Sequence, residues 1–94
     1  METKNAKITG TMLGLEDHNI FTCFVYLDYG SASQGFGGYF LKSYPTMIQD
    51  ILNVVGVRSW EELKGKYVRV VADSNKIIRI GHVIEDKWYS PEGL

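Results

Sequence analysis

Residues 29–38 carry the residue types with the clearest potential for ligand binding. The segment reads Tyr-Gly-Ser-Ala-Ser-Gln-Gly-Phe-Gly-Gly and has four glycines and two serines in ten residues. Glycines let backbone amides approach a ligand closely, serine and glutamine side chains add hydrogen-bond donors, and aromatic rings offer a stacking face for a base. The candidate ligand-binding residues are therefore Tyr29, Gly30, Ser31, Ser33, Gln34, Gly35, Phe36, Gly37, Gly38 and Tyr39.

The chemistry predicted for this segment is the binding of phosphate or ribose. It matches neither the P-loop, since it lacks Gly-Lys-Ser/Thr, nor the dinucleotide fingerprint, since it does not open a helix after a strand. Arg69 and Arg79 lie on two predicted strands of one hairpin, where they are expected to face the same side and contact an anion. Two plainer interpretations stay open: a flexible hairpin tip for the segment, and cross-strand charges on a solvated face for the arginines. A connection of about ten residues exceeds most hairpin loops, which favours a functional role.

Candidates for catalysis or metal binding are sparse. The Glu16-Asp17-His18 run pairs carboxylates with an imidazole, but adjacent residues on a turn point in different directions. His82 alternates with isoleucines on a predicted strand, which favours a core or edge position. Cys23, within a hydrophobic strand, is expected to be an inert buried thiol. The sequence therefore predicts a protein with no catalytic residues, metal or cofactor, and a small hydrolase using His18 or His82 is the least favoured alternative.

Composition bounds the remaining possibilities. The chain has 94 residues, ten Lys plus Arg, eleven Asp plus Glu and a net charge of −1, which predicts a single domain over residues 1–94 and no basic field for general nucleic-acid binding. No run reaches the roughly 18 apolar residues of a membrane helix, and the polar start lacks a signal-peptide pattern. We therefore expect a cytoplasmic protein without a membrane partner.

The apolar pattern predicts an α+β fold. Strands are expected at residues 7–15, 20–28, 39–42, 67–72 and 77–84, with residues 29–38 as the connection between the second and third. Apolar residues at helical spacing predict one main helix that begins near Ser43-Tyr44-Pro45 and ends before Gly56. Ser59-Trp60-Glu61-Glu62 fits a capping box for a short helical turn. The expected architecture is a mostly antiparallel sheet of about five strands, able to roll toward a barrel, packed by that helix and turn.

The strand at residues 20–28 also bears on assembly. Apolar residues occur on both of its faces, which predicts that both are covered and that the protein is a homo-oligomer. Trp60 and Trp88 are most simply residues that close a small core, whereas an exposed Trp88-Tyr89 would indicate a protein interface.

Several strings resemble a family of small proteins encoded by phages and prophages. They are Thr11-Met-Leu-Gly-Leu-Glu-Asp-His18, Asp28-Tyr-Gly, Gln34-Gly-Phe-Gly-Gly-Tyr39, Trp60-Glu-Glu-Leu-Lys-Gly-Lys-Tyr-Val-Arg-Val70 and Ile80-Gly-His82. The family brings no activity or binding residues to carry over. The resemblance implies an accessory factor that acts in an infected host cell, in the class of anti-defence proteins.

Two functional hypotheses follow. The leading one is a non-enzymatic binding protein that sequesters a small, phosphate-bearing, nucleotide-like ligand through the glycine-rich segment. The alternative is a protein-binding inhibitor of a host enzyme, similar in role to anti-CRISPR proteins, in which the same segment and the Trp88-Tyr89 tail contact the target.

Overall fold

The computed structural model of the protein describes residues 2–30, 32–38, 46–74 and 76–91. These residues form a mostly antiparallel sheet with one α-helix and one short 3-10 turn, so the predicted α+β class is confirmed. In chain order the elements are β1 (Glu2–Leu15), β2 (Phe21–Asp28), β3 (Ser33–Gly38), α1 (Met47–Val55), the 3-10 turn (Trp60–Glu62), β4 (Tyr67–Ala72), β5 (Ile77–Gly81) and β6 (Trp88–Tyr89).

Strand β1 joins two groups of strands. The sheet order is β3-β2-β1-β4-β5-β6, and all neighbouring pairs are antiparallel. The first half of β1 pairs with β4 and the second half with β2, and Lys7 is the Cα partner of both Asp28 and Tyr67. A register shift between Ile8 and Gly10 marks a bulge, which bends and twists a strand. Lys7 therefore lies where the two groups meet.

One face of the sheet carries the hydrophobic core. Alternate residues of each strand point to this face, as the period-2 geometry of a strand requires. Its largest fully buried side chains are aliphatic, and burying each one contributes roughly 1.5–3 kcal/mol. They include Ile8, Val25, Leu27, Val68, Val70 and Ile80, with Met47 and Ile51 from α1. We call this the core face and the opposite side the outer face.

Helix α1 matches its predicted pattern. Met47, Ile51 and Val54 are buried, as expected for an apolar stripe at helical spacing. Gly56 ends the helix at φ 89°, and its N–H donates to the Leu52 carbonyl at 2.9 Å. The predicted start at residues 43–45 lies outside the described residues.

Several details of the predicted elements are wrong. The sheet has six strands, because residues 33–38 form β3 and residues 88–89 form β6, while the strand expected at residues 39–42 lies outside the described residues. Strand β5 ends at Gly81, so His82 does not lie on a strand. The described sheet is open, with β3 and β6 at its edges.

The predicted capping box also differs from the observed bonds. The Ser59 hydroxyl donates to the Glu62 carboxylate at 3.0 Å, and no side chain caps a backbone N–H. The Glu62 N–H instead donates to the Ser59 carbonyl at 3.2 Å. The two side chains bond to each other because the 3-10 turn already satisfies that N–H.

Within the single chain, β2 is covered fully on its core face and in part on its outer face, where Thr22 is buried and Phe24 half-buried. Cys23, Val25 and Leu27 on the core face are fully buried, which confirms the buried thiol, and burial raises the pKa of the Cys23 thiol to about 11. On the outer face Tyr26 is 41% exposed. The described part of the chain has no helix long and apolar enough to cross a membrane.

Candidate ligand-binding site

Most of the glycine-rich segment is a strand. Ser33, Gln34, Gly35, Phe36, Gly37 and Gly38 pair with β2 from Asp28 to Cys23, so the predicted long loop is wrong for these residues. Only a tight turn remains, in which the Tyr29 N–H donates to the Ala32 carbonyl at 3.0 Å. The Asp28 carboxylate accepts the Gly30 N–H at 3.0 Å. Pairing engages the backbone amides of this segment that point toward β2, and because β3 is an edge strand the alternate amides point away from the sheet. Ser31 and Tyr39 lie outside the described residues.

Gly37 and Phe36 have structural roles. Gly37 has φ 143°, and a Cβ atom there would lie 2.0 Å from the Cys23 carbonyl oxygen, so only glycine allows β3 to approach β2 at this point. Phe36 is buried and packs edge-on against Tyr89, with ring centroids 6.1 Å apart. The predicted use of Phe36 as a stacking ring is therefore wrong.

Two glycines, one on each neighbouring strand, flank an exposed aromatic ring of β2. Tyr26 lies on the outer face between Gly10 of β1 and Gly35 of β3, its two Cα partners. A Cβ atom at Gly35 would lie 3.4 Å from the Tyr26 ring, and one at Gly10 would lie 3.7 Å from it. Neither residue paired directly with Tyr26 therefore places a side chain against its ring. We call Tyr26 with Gly10 and Gly35 the tyrosine ledge.

Phe24 extends the tyrosine ledge along β2. Its ring is nearly parallel to that of Tyr26, with an interplanar angle of 9° and centroids 6.1 Å apart. This offset geometry is favourable for two aromatic rings. Because Phe24 is half-buried and Tyr26 exposed, the pair supports the Tyr26 ring while leaving part of it accessible.

Lys7 and Tyr67 continue the outer face next to the ledge. Both are exposed, and the Lys7 Nζ lies 6.0 Å from the Tyr67 ring centroid. Register places Lys7 beside Asp28, two residues from Tyr26 on β2. This location places an ammonium group between two exposed aromatic side chains, Tyr26 and Tyr67.

The two candidate arginines share a tryptophan farther along the outer face. The Cζ atoms of Arg69 and Arg79 lie 4.8 and 4.7 Å from the Trp88 ring centroid, within the range of cation–π contact. The register confirms that both arginines face the same side. Trp88 lies over Gly81, where a Cβ atom would approach the ring to 2.5 Å.

The two guanidinium groups differ in their bonding. Arg69 donates from Nε to the His82 carbonyl at 2.8 Å and from Nη2 to the Glu85 carbonyl at 2.9 Å, so it anchors the turn after β5. For Arg79, the described residues supply the Trp88 ring as its cation–π contact and no ion-pair carboxylate. Of the two, Arg79 is the better placed to meet a ligand anion.

A cavity at one end of the sheet contains the remaining predicted residues. It has a volume of about 530 Å³, and Tyr29 and Gln34 line it together with Lys4 and two carboxylate side chains, Glu2 and Asp73. The Lys4 Nζ lies 3.3 Å from a Glu2 oxygen and 5.7 Å from the Tyr29 ring centroid. We call this cavity the end pocket.

Each histidine side chain bonds within its own turn. The Glu16 carboxylate bonds to the His18 Nδ1 at 3.0 Å and accepts backbone N–H groups of its own turn, and the bond from His18 lowers the Glu16 pKa. His82 Nδ1 accepts the Ile84 and Glu85 N–H groups at 3.1 and 2.9 Å. No group of three described His, Cys, Asp or Glu residues is placed to hold a metal. Both histidine side chains therefore form hydrogen bonds that stabilise the turns in which they lie.

Sequence reasoning missed the four exposed or half-exposed residues that define the outer face. The sequence predicts a covered face for Tyr26 and a core or interface position for Trp88, and it indicates no role for Lys7 or Tyr67. The available signal was the pairing of aromatic residues with glycines across strands, but reading it requires the register.

Comparison of the chain with protein-family models, curated proteins and solved structures finds no match.

Proposed function

We propose that the protein is a non-enzymatic binding protein for a nucleotide-like ligand, whose base stacks on Tyr26 and whose phosphate contacts Lys7. The observation that carries this proposal is the tyrosine ledge, an exposed ring with glycine on both neighbouring strands. A planar base is a suitable partner because base–aromatic stacking contributes about 1–3 kcal/mol and tolerates different bases. Lys7 supplies a point charge for phosphate on the same face.

The ledge is favoured over the end pocket for reasons of charge. The end pocket is within the volume range of small-ligand sites. However, Glu2 and Asp73 contribute two carboxylates against the single ammonium of Lys4, and that ammonium already pairs with Glu2. A phosphate would meet net negative charge there. Beside the ledge, the Asp28 carboxylate accepts the Gly30 N–H, and Asp28 is paired in register with Lys7, so one ammonium stands against one carboxylate.

Saturation-transfer NMR with adenosine monophosphate tests this assignment. We expect transfer to the base protons, with ribose 5-phosphate giving little signal because it has no base to stack. Tyr26→Ser should abolish the transfer, because it removes the ring and leaves the core face untouched.

Tyr29→Ser is the matched control, since it removes the same kind of ring from the end pocket. Unchanged transfer in this variant is expected. Loss of transfer with Tyr29→Ser, and retention with Tyr26→Ser, would contradict the ledge assignment and move the site to the end pocket.

The biological setting is part of the proposal. The resemblance to small phage and prophage proteins supports a role in sequestering a nucleotide-like ligand in an infected cell, as an anti-defence factor in the host cytoplasm. The exposed apolar residues of the β1–β2 hairpin, with Leu15 61% and Phe21 46% exposed, support a homo-oligomer. Native mass spectrometry of the purified protein reports both the oligomeric state and any retained ligand; a ligand-free monomer would contradict both points.

A second candidate function, protein binding, is favoured by the turn after β5. Ile84 at its tip is 82% exposed. In addition, four hydrogen bonds formed by the His82 and Arg69 side chains hold the backbone of this turn in one conformation. A rigid segment that presents an apolar side chain binds with a reduced entropic cost.

Site-specific photo-crosslinking from position 84 tests this candidate. We expect crosslinks to one partner in host lysate, and we expect them to be lost with His82→Leu. His82→Asn should retain them, because the asparagine oxygen can accept the same two N–H groups. Equal crosslinking in His82→Leu and the wild type would contradict a role for the rigid turn.

A further inference from the structure

We infer that the outer face binds single-stranded nucleic acid, with the Tyr26 ring, the Tyr67 ring and the Trp88 ring with its two guanidinium groups, those of Arg69 and Arg79, as successive stacking positions. This inference rests on the proposed function and extends it from one nucleotide to a chain of nucleotides. Tyr26 and Tyr67 are exposed and Trp88 is half-buried, and all three point to the side opposite the core. Each aromatic ring stacks on one side of a single base. A nucleic-acid strand that contacts several such rings therefore binds more tightly than one that contacts a single ring.

The spacing of these rings is regular. Lys7 is paired with both Asp28 and Tyr67, so Tyr67 lies two strands across from β2 and two residues along from Tyr26. Arg69 lies two residues along β4 from Tyr67 and is paired with Gly81, which is paired with Trp88. Trp88 therefore lies two strands across and two residues along from Tyr67, the same displacement as that from Tyr26 to Tyr67. With strands about 4.8 Å apart and about 3.3 Å per residue, each step is about 12 Å along the sheet. A single strand has a flexible backbone that can cross such steps.

Cationic side chains alternate with the rings. Lys7 lies between the first two positions, and Arg69 and Arg79 flank the third. Stacking rings interspersed with cationic side chains are found on surfaces that bind single strands without sequence preference. From β2 to β6, the order is therefore the Tyr26 ring, the Lys7 ammonium, the Tyr67 ring, the guanidinium groups of Arg69 and Arg79, and the Trp88 ring.

Acidic groups near this path are engaged with protein atoms. The Asp28 carboxylate accepts the Gly30 N–H, and the Asp86 carboxylate accepts the Trp88 indole N–H at 2.9 Å. The Glu85 carboxylate lies 3.7 Å from the Lys87 Nζ. With three cations on the path and a net charge of −1 for the chain, stacking contributes more than charge. Duplex DNA, whose bases already stack on each other, is therefore a poor ligand.

Fluorescence anisotropy with labelled oligothymidines of 2, 6 and 12 nucleotides tests this inference. We expect the 12-mer to bind at least about tenfold more tightly than the 2-mer, because it reaches more than one ring. A 12-mer of uridine tests whether RNA binds as well, and a 12-base-pair duplex should bind at least about tenfold more weakly than the single strand. The slope of log affinity against log salt should be about −2, since each cation contributes about 0.7 for a single strand.

Variants at the second and third rings test the path itself. Tyr67→Ser and Trp88→Ser should each lower 12-mer affinity about tenfold and lower saturation transfer to adenosine monophosphate far less than Tyr26→Ser does. Arg79→Gln gives a variant that keeps the Trp88 ring and should lower affinity about threefold and make the salt slope shallower. Quenching of Trp88 fluorescence by the 12-mer in a Trp60→Phe background reports contact with the ring directly.

The possible failures are distinguishable. Affinity that does not increase with length, or 12-mer binding that is insensitive to Tyr67→Ser, Trp88→Ser and Arg79→Gln, would overturn the inference while the ledge remains a mononucleotide site. Duplex binding as tight as single-strand binding would overturn it as well. If the wild-type protein binds neither adenosine monophosphate nor any of the oligonucleotides, the proposed function and this inference are overturned together.

Discussion

The two faces of the six-stranded sheet use different kinds of apolar residue. The core face is built from aliphatic side chains that pack against α1, whereas the outer face carries aromatic rings separated by glycines and cations. Aliphatic side chains fill a core densely, while an aromatic ring with space around it can accept a planar partner. An apolar residue on a strand therefore does not by itself indicate burial. Its neighbours on adjacent strands decide whether it is core or surface.

The largest expected effect separates two adjacent residues of β2 that point to opposite faces. Leu27→Ala should lower the free energy of unfolding by about 3 kcal/mol, because it leaves a cavity in a fully buried position. Tyr26→Ser should cost less than about 1 kcal/mol and abolish nucleotide binding. Urea denaturation measures both values. Equal destabilisation by the two substitutions would mean that the outer face is a second core.

A second prediction compares neighbouring glycines of β3. Gly37→Ala should lower the free energy of unfolding by about 2 kcal/mol, because the position has a positive φ and lies against the Cys23 carbonyl. Gly38→Ala is the control, since no atom lies within 4 Å of its added Cβ. Thermal denaturation of the two variants measures the difference. If Gly37→Ala were as stable as Gly38→Ala, the close approach of β3 to β2 described above would be incorrect.

The two arginines of the outer face give a third prediction. Arg69→Ala should lower the free energy of unfolding by about 1–2 kcal/mol, since it removes two hydrogen bonds that anchor the turn after β5. Arg79→Ala should change it by no more than about 0.5 kcal/mol. Chemical denaturation distinguishes an anchoring residue from one available to a ligand. A larger cost for Arg79 than for Arg69 would reverse these roles.

The smallest expected effect concerns the β1–β2 turn, away from both faces. The hydrogen bond from His18 lowers the Glu16 pKa, so the folded state stabilises the ionised carboxylate. This stabilisation is present above the ordinary glutamate pKa and is lost as the pH falls through the lowered value. Urea midpoints of the wild type and Glu16→Gln should therefore differ at pH 7 and converge as the pH falls below the lowered pKa of Glu16. A difference that persists at low pH would contradict this origin.

The core and the main elements were predictable because local patterns encode them. The spacing of Met47, Ile51 and Val54 gave the helix with Gly56 after its end, and the alternation around Cys23 gave the buried face of β2. Strand β3 was not predictable in this way, since Ser-Gln-Gly-Phe-Gly-Gly has low strand propensity and forms a strand through its pairing with β2.

The candidate site was harder to predict for a related reason. The sequence correctly predicted that Arg69 and Arg79 share a side, because both lie in one local hairpin. The positions of Tyr26, Lys7 and Tyr67 relative to one another depend on the pairing of β1 with both β2 and β4. That pairing joins residues distant in the chain, so no local pattern specifies it.

The most direct test of the central claim is a map of amide chemical-shift changes on titration with adenosine monophosphate. We predict that the largest changes occur at Gly10, Tyr26 and Gly35, which form the tyrosine ledge. Largest changes at Lys4, Tyr29 and Gln34, which line the end pocket, would contradict the claim that the outer face of the sheet is the binding surface.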